Sequence, residues 1–278
     1  MARRNRLDTE LVRRGLARSR EHAAELIVAG RVRVRGAAAA KPAAMVDPAD
    51  PVHVVQGETE EYVSRGGHKL AGALDALPGL VVAGRRCLDA GASTGGFTDV
   101  LLRRGATQVV AVDVGYGQLA WGLRQDPRVR CLERVNVRTL RPEVIEGPVD
   151  VTVADLSFIS LRLVLPALAS CTMPDGDLLP MVKPQFEVGR ERVGRGGVVR
   201  EPELRAAAVL DVAQAAAELG LGVAGAAVSP LPGPSGNVEY FLWLRRDAAP
   251  VDPAVIHQLT HVGSVGEGDS VVEGVGDD

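Results

Sequence analysis

Aromatic residues are scarce in this chain, 3% of its 278 residues against 46% that are hydrophobic. A sizeable core is still possible, but Val, Leu and Ala have to build most of it. Long apolar runs are missing as well. None reaches the roughly 18 residues of a membrane-crossing helix, which speaks against a helical span. The basic N-terminus does not read as a secretion signal, because Asp8, Glu10 and Arg13 fall where its apolar stretch would lie. A cytoplasmic location is expected. Cysteine is limited to Cys87, Cys131 and Cys171, an odd number without C-x-x-C spacing. That argues against a disulfide framework, no metal site is expected, and the thiols are read as buried and free in a reducing compartment. Lysine is the last scarcity. Of 32 basic side chains only Lys41, Lys69 and Lys183 are lysines.

The net charge of −3 conceals a strong asymmetry. Residues 1–35 hold ten arginines against Asp8, Glu10, Glu21 and Glu25, so the front of the chain is suited to phosphate. Residues 247–278 hold seven acids and no Lys or Arg, with Gly and Val between them, and read as an acidic, disordered tail.

Leu7, Leu11 and Val12 share one helical face that Gly15 can stop. Ser19 can cap a second helix carrying Ala23, Leu26 and Ile27, ending at Gly30. Val32 and Val34 then alternate with arginines as in a half-buried strand, and 51–55 offers another. This unit, residues 1–55, resembles the alpha-L RNA-binding domain of a small-subunit ribosomal protein, pseudouridine synthases and tyrosyl-tRNA synthetases, through R-L-D-T-E-L-V-R-R-G-L-A-R-S-R-E-H-A-A-E-L-I-V-A-G-R-V-R-V from Arg6. The resemblance implies a small α+β domain with a basic face for structured RNA. Arg4, Arg6, Arg18, Arg20, Arg31 and Arg33, with Arg65 beyond a polar linker at 56–63, are the candidate RNA contacts. A helical hairpin with solvated arginines is the competing reading.

From 64 to 246 strand and helix patterns alternate as in a doubly wound α/β sheet. Seven strands are predicted: one near Cys87, then 109–112, 129–132, 149–153, 178–182, 223–228 and 240–244. Helices are predicted at 96–104, 161–170 and 202–219. The last two strands, joined by a short polar turn, suggest one antiparallel strand at the sheet's end. The segment R-R-C-L-D-A-G-A-S-T-G-G-F-T-D from Arg85 reads as a strand, a glycine-rich turn and a helix. Its G-x-x-x-G-G spacing is neither the G-x-G-x-x-G of a dinucleotide site nor a phosphate loop. It favours a cofactor without a pyrophosphate, such as S-adenosylmethionine (SAM), in a Rossmann-like methyltransferase domain. An ordinary tight turn would use the same glycines.

Where a plain positive charge suffices, this sequence uses arginine. A lysine can shift its pKa far enough to handle a proton, which singles out Lys69 in S-R-G-G-H-K-L and Lys183 in M-V-K-P-Q-F-E. Acids stand at the ends of several predicted strands: Asp113 after V-V-A-V, suited to ribose hydroxyls, Asp155 after V-T-V-A, and Glu239 opening the last strand. Strand carboxyl ends are where doubly wound sheets bind ligands, although a single such acid more often caps a helix or turn.

Apart from the acidic tail, the chain resembles the TlyA family of rRNA 2′-O-methyltransferases, whose catalytic domain is related to FtsJ. The resemblance rests on the alpha-L unit followed by S-R-G-G-H-K-L, D-A-G-A-S-T-G-G-F-T-D, A-D-L-S-F-I-S-L, K-P-Q-F-E, G-G-V-V-R and G-N-V-E-Y. It implies methylation of a cytidine ribose in ribosomal RNA within ribosomal subunits. It also implies a Lys69, Asp155, Lys183 and Glu239 tetrad. In this reading Lys183 is the base, Lys69 tunes it by like-charge repulsion, and Asp155 and Glu239 hold its amine. SAM would lie along Asp89, Gly91, Ala92, Gly95 and Gly96, with Asp113 at its ribose, Asn136 at its adenine and Asp155 at its amine. Residues 188–197, with Arg190, Arg192 and Arg195, read as a mobile loop touching RNA or as a solvated one. Two other functions compete: a non-catalytic ribosome-binding assembly factor, and a membrane-active haemolysin, the name some relatives carry. No protein partner is evident.

Overall fold

The computed structural model describes residues 4–17, 20–28, 30–55, 62–194 and 196–262. The chain divides into two compact units, 1–61 and 62–278. The first contains β1 (Asn5–Arg6), α1 (Leu7–Arg13), α2 (Arg20–Val28), β2 (Val32–Val34), β3 (Ala37–Ala38), β4 (Met45–Val46) and β5 (Val52–Val54). β1 pairs with β4, and β2 lies between β3 and β5, all antiparallel. Leu7 and Leu11 from α1 meet Ala23, Leu26 and Ile27 from α2 and Val32 from β2 in one core. Each such fully buried Leu, Ile or Val side chain contributes about 2 kcal/mol of transfer free energy. Gly15 and Gly30 close the two helices at φ +71° and +68°, a backbone that costs glycine nothing.

The second unit is built on α3 (Arg65–Ala76), β6 (Arg86–Ala90), α4 (Gly96–Arg103), β7 (Gln108–Asp113), α5 (Trp121–Arg124), β8 (Val129–Glu133), β9 (Val149–Ala154), α6 (Leu165–Cys171), β10 (Thr172–Val182), α7 (Pro184–Glu187), α8 (Pro202–Ala217), β11 (Gly222–Val228), β12 (Tyr240–Arg245) and α9 (Pro253–Val262). The sheet order is β11-β12-β10-β9-β6-β7-β8. β12 runs antiparallel to both neighbours. The single reversed strand therefore sits inside β11, not at the end of the sheet. The strands separate two apolar layers, one against α6, α8 and α9 and the other against α3 and α4. Among the described residues, Tyr240 and Phe241 are the only aromatics among the largest fully buried side chains, the rest being Leu and Ile.

Three expectations are corrected. The single helix expected at 161–170 is a 3₁₀ turn, Leu161–Leu163, followed by α6. Pro166 falls in the first turn of α6, where its missing N–H has no intrahelical partner to lose. Within the stretch expected to be a disordered tail, residues 253–262 form α9, whose Ile256 is fully buried against the sheet. Residues 263–278 lie outside the described ones. Cys131 is half-buried, while Cys87 and Cys171 are buried, and all three are free.

Candidate active site

Strand register gathers the candidate residues along one edge of the sheet. Val182 pairs with Tyr240, which puts Lys183 and Glu239 at the same end of the β10–β12 ladder. Pro180 pairs with Ala154, and Ala90 pairs with both Ala154 and Val112. Asp155, Gly91 and Asp113 therefore leave adjacent parallel strands at their carboxyl ends. The chain turns from the β6-β7-β8 direction to the β9-β10 direction between β6 and β9, so the crevice at a topological switch point opens beside Gly91 and Asp155.

Each lysine has its own carboxylate. Lys69, on α3, places Nζ 2.5 Å from Glu239 Oε2, and the two are 7% and 1% exposed. Lys183 places Nζ 2.5 Å from Asp155 Oδ1 and donates to Ser157 Oγ at 2.9 Å. Glu239 is thus bonded to Lys69 rather than to the Lys183 amine, the arrangement expected from sequence, because α3 carries Lys69 directly to it. Glu239 Oε1 is buried without a protein hydrogen bond. A Cβ on Gly233 would stand 2.6 Å from that oxygen, so glycine there makes room for the carboxylate.

The glycine turn is close-packed against protein. Gly91 (φ +87°) and Gly95 (φ +98°) adopt backbone that disfavours any side chain. A Cβ on Gly91 would strike the Asp155 carbonyl, and one on Gly96 would strike Ser64 Oγ and the Gly67 amide. These glycines let α3 and the Asp155 segment approach α4 and β6. Ala92, just after Gly91, is buried. Asp113 accepts from Ser93 N at 2.8 Å and Gly115 N at 2.6 Å, which leaves acceptor capacity on both oxygens. Asp89 is fully buried. Its Oδ2 accepts from Thr98 Oγ1 at 2.6 Å and its Oδ1 has no protein partner. Burial, reinforced by the nearby Asp155 charge and opposed by Thr98, pushes its carboxyl up to about 7. Asn136 is exposed, and its side chain accepts from Arg138 N at 3.0 Å as the cap of a 3₁₀ turn. An edge carrying Asp89, Asp113 and Asp155, with a buried unpartnered carboxylate oxygen, fits a ligand bearing both a positive charge and hydroxyls. SAM is such a ligand.

In the first unit, Arg6 and Arg20 bond Asp8, Arg31 donates to Val55 O, and Arg33 donates to Gly36 O. Arg4 is exposed. Arg18 lies outside the described residues, as does Arg195. Arg65 opens α3 in the second unit.

Sequence reasoning passed over four polar residues. Ser157 bonds Lys183. Asp99 accepts from Val63 N at 2.9 Å. Glu187, the last residue of α7, and Asn237, which lies before β12 and bonds backbone of the α7–α8 connection, are both buried. Glu187 and Asn237 stand within the motifs K-P-Q-F-E and G-N-V-E-Y, and their placement there was the available signal.

A doubly wound sheet with a glycine-rich first turn and acids on consecutive strand ends defines a Rossmann-like methyltransferase. Residues 62–246 match the FtsJ-like methyltransferase family and residues 5–52 match the S4 domain. The chain is 65% identical over 245 residues to the Mycobacterium tuberculosis protein named 16S/23S rRNA (cytidine-2′-O)-methyltransferase TlyA, covering 88% of this chain and 91% of that one. It is 37% identical over 236 residues to a Brachyspira hyodysenteriae protein named Hemolysin A, covering 84% and 97%. A solved Streptococcus thermophilus structure provisionally called a hemolysin superposes with TM-score 0.75 at 40% identity, covering 95% of this chain and 96% of that one. The chain belongs to the TlyA family of FtsJ-like methyltransferases, with an amino-terminal S4 domain.

Proposed function

We propose that this chain transfers a methyl group from SAM to the ribose 2′-hydroxyl of a cytidine in ribosomal RNA, acting on ribosomal subunits in the cytoplasm. The observation that carries the reading is the placement of Lys183–Asp155 and Lys69–Glu239 at one sheet edge, beside the glycine turn. Its support from relatives is the name of the Mycobacterium tuberculosis protein. Asp89, the turn at Gly91, Ala92, Gly95 and Gly96, Asp113, Asn136 and Asp155 would hold SAM, which supplies an electrophilic methyl on a positively charged sulfur.

A ribose hydroxyl is a very weak acid, so its proton has to leave as the methyl–oxygen bond forms. Lys183, entering the step as the neutral amine, takes that proton from the 2′-oxygen. The ammonium so formed has Asp155 Oδ1 at ion-pair distance and Ser157 Oγ as a second partner. Lys69 and Glu239 hold each other at the same end of the β10–β12 ladder. Most of the remaining catalytic effect is orientation of the hydroxyl, which costs the protein no covalent chemistry. The first unit's arginines would bind RNA phosphate.

The test is transfer of labelled methyl from SAM to unmethylated small subunits, large subunits and their free rRNAs, followed by mapping of 2′-O-methyl positions. Label on a cytidine that vanishes with Lys183→Ala is expected. No label despite measured SAM and ribosome binding would turn the assignment to a non-catalytic assembly factor.

A further inference from the structure

Two buried side chains outside the tetrad tie the α7–α8 connection to the segments that carry it. At the start of the connection Glu187, 4% exposed, accepts from Ser160 Oγ at 2.5 Å and Leu161 N at 2.7 Å. Ser160 and Leu161 close the segment that begins with Asp155 and Ser157, the two partners of Lys183. At the far end Asn237, 2% exposed, accepts from Val199 N at 2.9 Å and donates Nδ2 to Gly197 O at 2.8 Å. Asn237 stands two residues before Glu239. Its own carbonyl accepts from Gly233 N at 2.8 Å, and Gly233 is the residue that leaves room for the Glu239 carboxylate.

These bonds are not local caps. Asn237 reaches backbone 38 and 40 residues away, and Glu187 reaches backbone 26 residues away. A buried amide whose two ends are both bonded to backbone fixes that backbone, because removing it strands the buried Val199 N–H and releases the Gly197 carbonyl. The end of the α7–α8 connection is therefore fastened at Gly197 and Val199.

We propose that Asn237 and Glu187 are positioning residues for methyl transfer: by binding opposite ends of the α7–α8 connection they hold the Glu239 segment and the Asp155–Ser157 segment in one geometry. The proposal rests on the methyl-transfer reading. Neither residue touches the reacting atoms. Asn237 acts through Glu239 and its Lys69 partner, and Glu187 acts through the segment that holds Lys183.

The experiment uses the full chain with Asn237→Ala, Asn237→Asp and Glu187→Gln. It reads amide hydrogen exchange over residues 196–204, SAM affinity by calorimetry, and steady-state methyl transfer to ribosomal subunits. In Asn237→Ala the Val199 amide should exchange faster and kcat should fall about tenfold or more, with SAM affinity and KM nearly unchanged. Asn237→Asp keeps the acceptor for Val199 N and loses the donated bond, so it should lie between Ala and the parent. It also serves if the alanine variant does not fold. Glu187→Gln should lower kcat in the same way without changing exchange at Val199. Unchanged exchange in both Asn237 variants would overturn the anchoring, and raised exchange with unaltered kcat would overturn the positioning role. A parent chain that transfers no methyl to any substrate overturns the functional reading and the positioning role together, while the exchange difference separately reads whether Asn237 is an anchor.

Discussion

Lys69 and Glu239 are 170 residues apart in the chain, yet their Nζ and Oε2 atoms lie 2.5 Å from each other with both side chains buried. The pair joins the first helix of the catalytic unit to its last strand. Breaking such a pair from one side leaves a buried charge without a counter-charge, which costs about 3–5 kcal/mol. Lys69→Met is expected to destabilise the catalytic unit by an amount within that range. Lys69→Met combined with Glu239→Gln should recover part of the loss. Urea denaturation of the four-member cycle checks this, and strictly additive effects would mean the two residues do not act as a pair.

Lys183 has a different environment, with Asp155 and Ser157 as partners. Lys183→Arg keeps the positive charge but replaces the amine by a guanidinium, which does not give up its proton in proteins. Under the proposed function kcat should fall by at least about 100-fold, the usual worth of a general base, with SAM affinity within a few-fold of the parent. Near-normal turnover in that variant would remove the base role from Lys183 and leave it an electrostatic one.

Asp89 gives the stability of the catalytic unit a pH dependence whose sign can be worked out. Burial raises its carboxyl from an ordinary value of 3.8 to about 7. Between those values the folded chain retains a proton that the unfolded chain has released, so stability falls as pH rises through the window and the full penalty is present above about pH 7. Asp89→Asn removes the titration. Relative to the parent without ligand, its melting temperature should be higher by roughly 5–10 °C more at pH 8 than at pH 5. A difference that does not change with pH would show that Asp89 does not titrate in that interval.

In the first unit Asp8 and Glu10 are held below the usual carboxylate range, chiefly by hydrogen bonds from Arg6 and Arg13 respectively. Those arginines are partly committed within the protein. Arg4 is exposed, and Arg33 makes a bond of 3.3 Å to Gly36 O. Replacing Arg4 and Arg33 by Gln should therefore weaken rRNA binding without unfolding the unit. If both contact phosphate, the slope of log K against log salt should become shallower by roughly 1.4 to 2. An unchanged slope would exclude both as phosphate contacts.

β7 and β9 were legible because each is a nearly continuous Val- and Ala-rich run buried on both faces, as in V-V-A-V before Asp113. β10 was legible only from Leu178 onward. Its first half, T-M-P-D-G-D, has turn residues, and the register with β9 shifts between Thr172 and Asp177. α3 was hidden by Gly66, Gly67 and Gly72, which lower helix propensity and are kept for close packing: a Cβ on Gly67 would strike Tyr62, and one on Gly72 would strike Pro230. The four tetrad residues could be chosen from strand ends and lysine scarcity. Which carboxylate meets which lysine could not, since that depends on the ladder register at Val182 and Tyr240 and on the path of α3.

α9 was also hidden, by the acidic and glycine-rich sequence around it. Ile256 is fully buried in the core layer that includes Val209, Val212 and Leu221, so the helix closes the end of the catalytic unit rather than trailing from it. Replacing a buried isoleucine by alanine removes transfer free energy and leaves a cavity, a loss of roughly 2–4 kcal/mol. Ile256→Ala should lower the stability of the catalytic unit by that amount, and removal of residues 253–278 should do at least as much. Removal of 263–278 alone separates the two contributions. If Ile256→Ala unfolds at the same urea concentration as the parent, α9 does not hold the end of the sheet in solution.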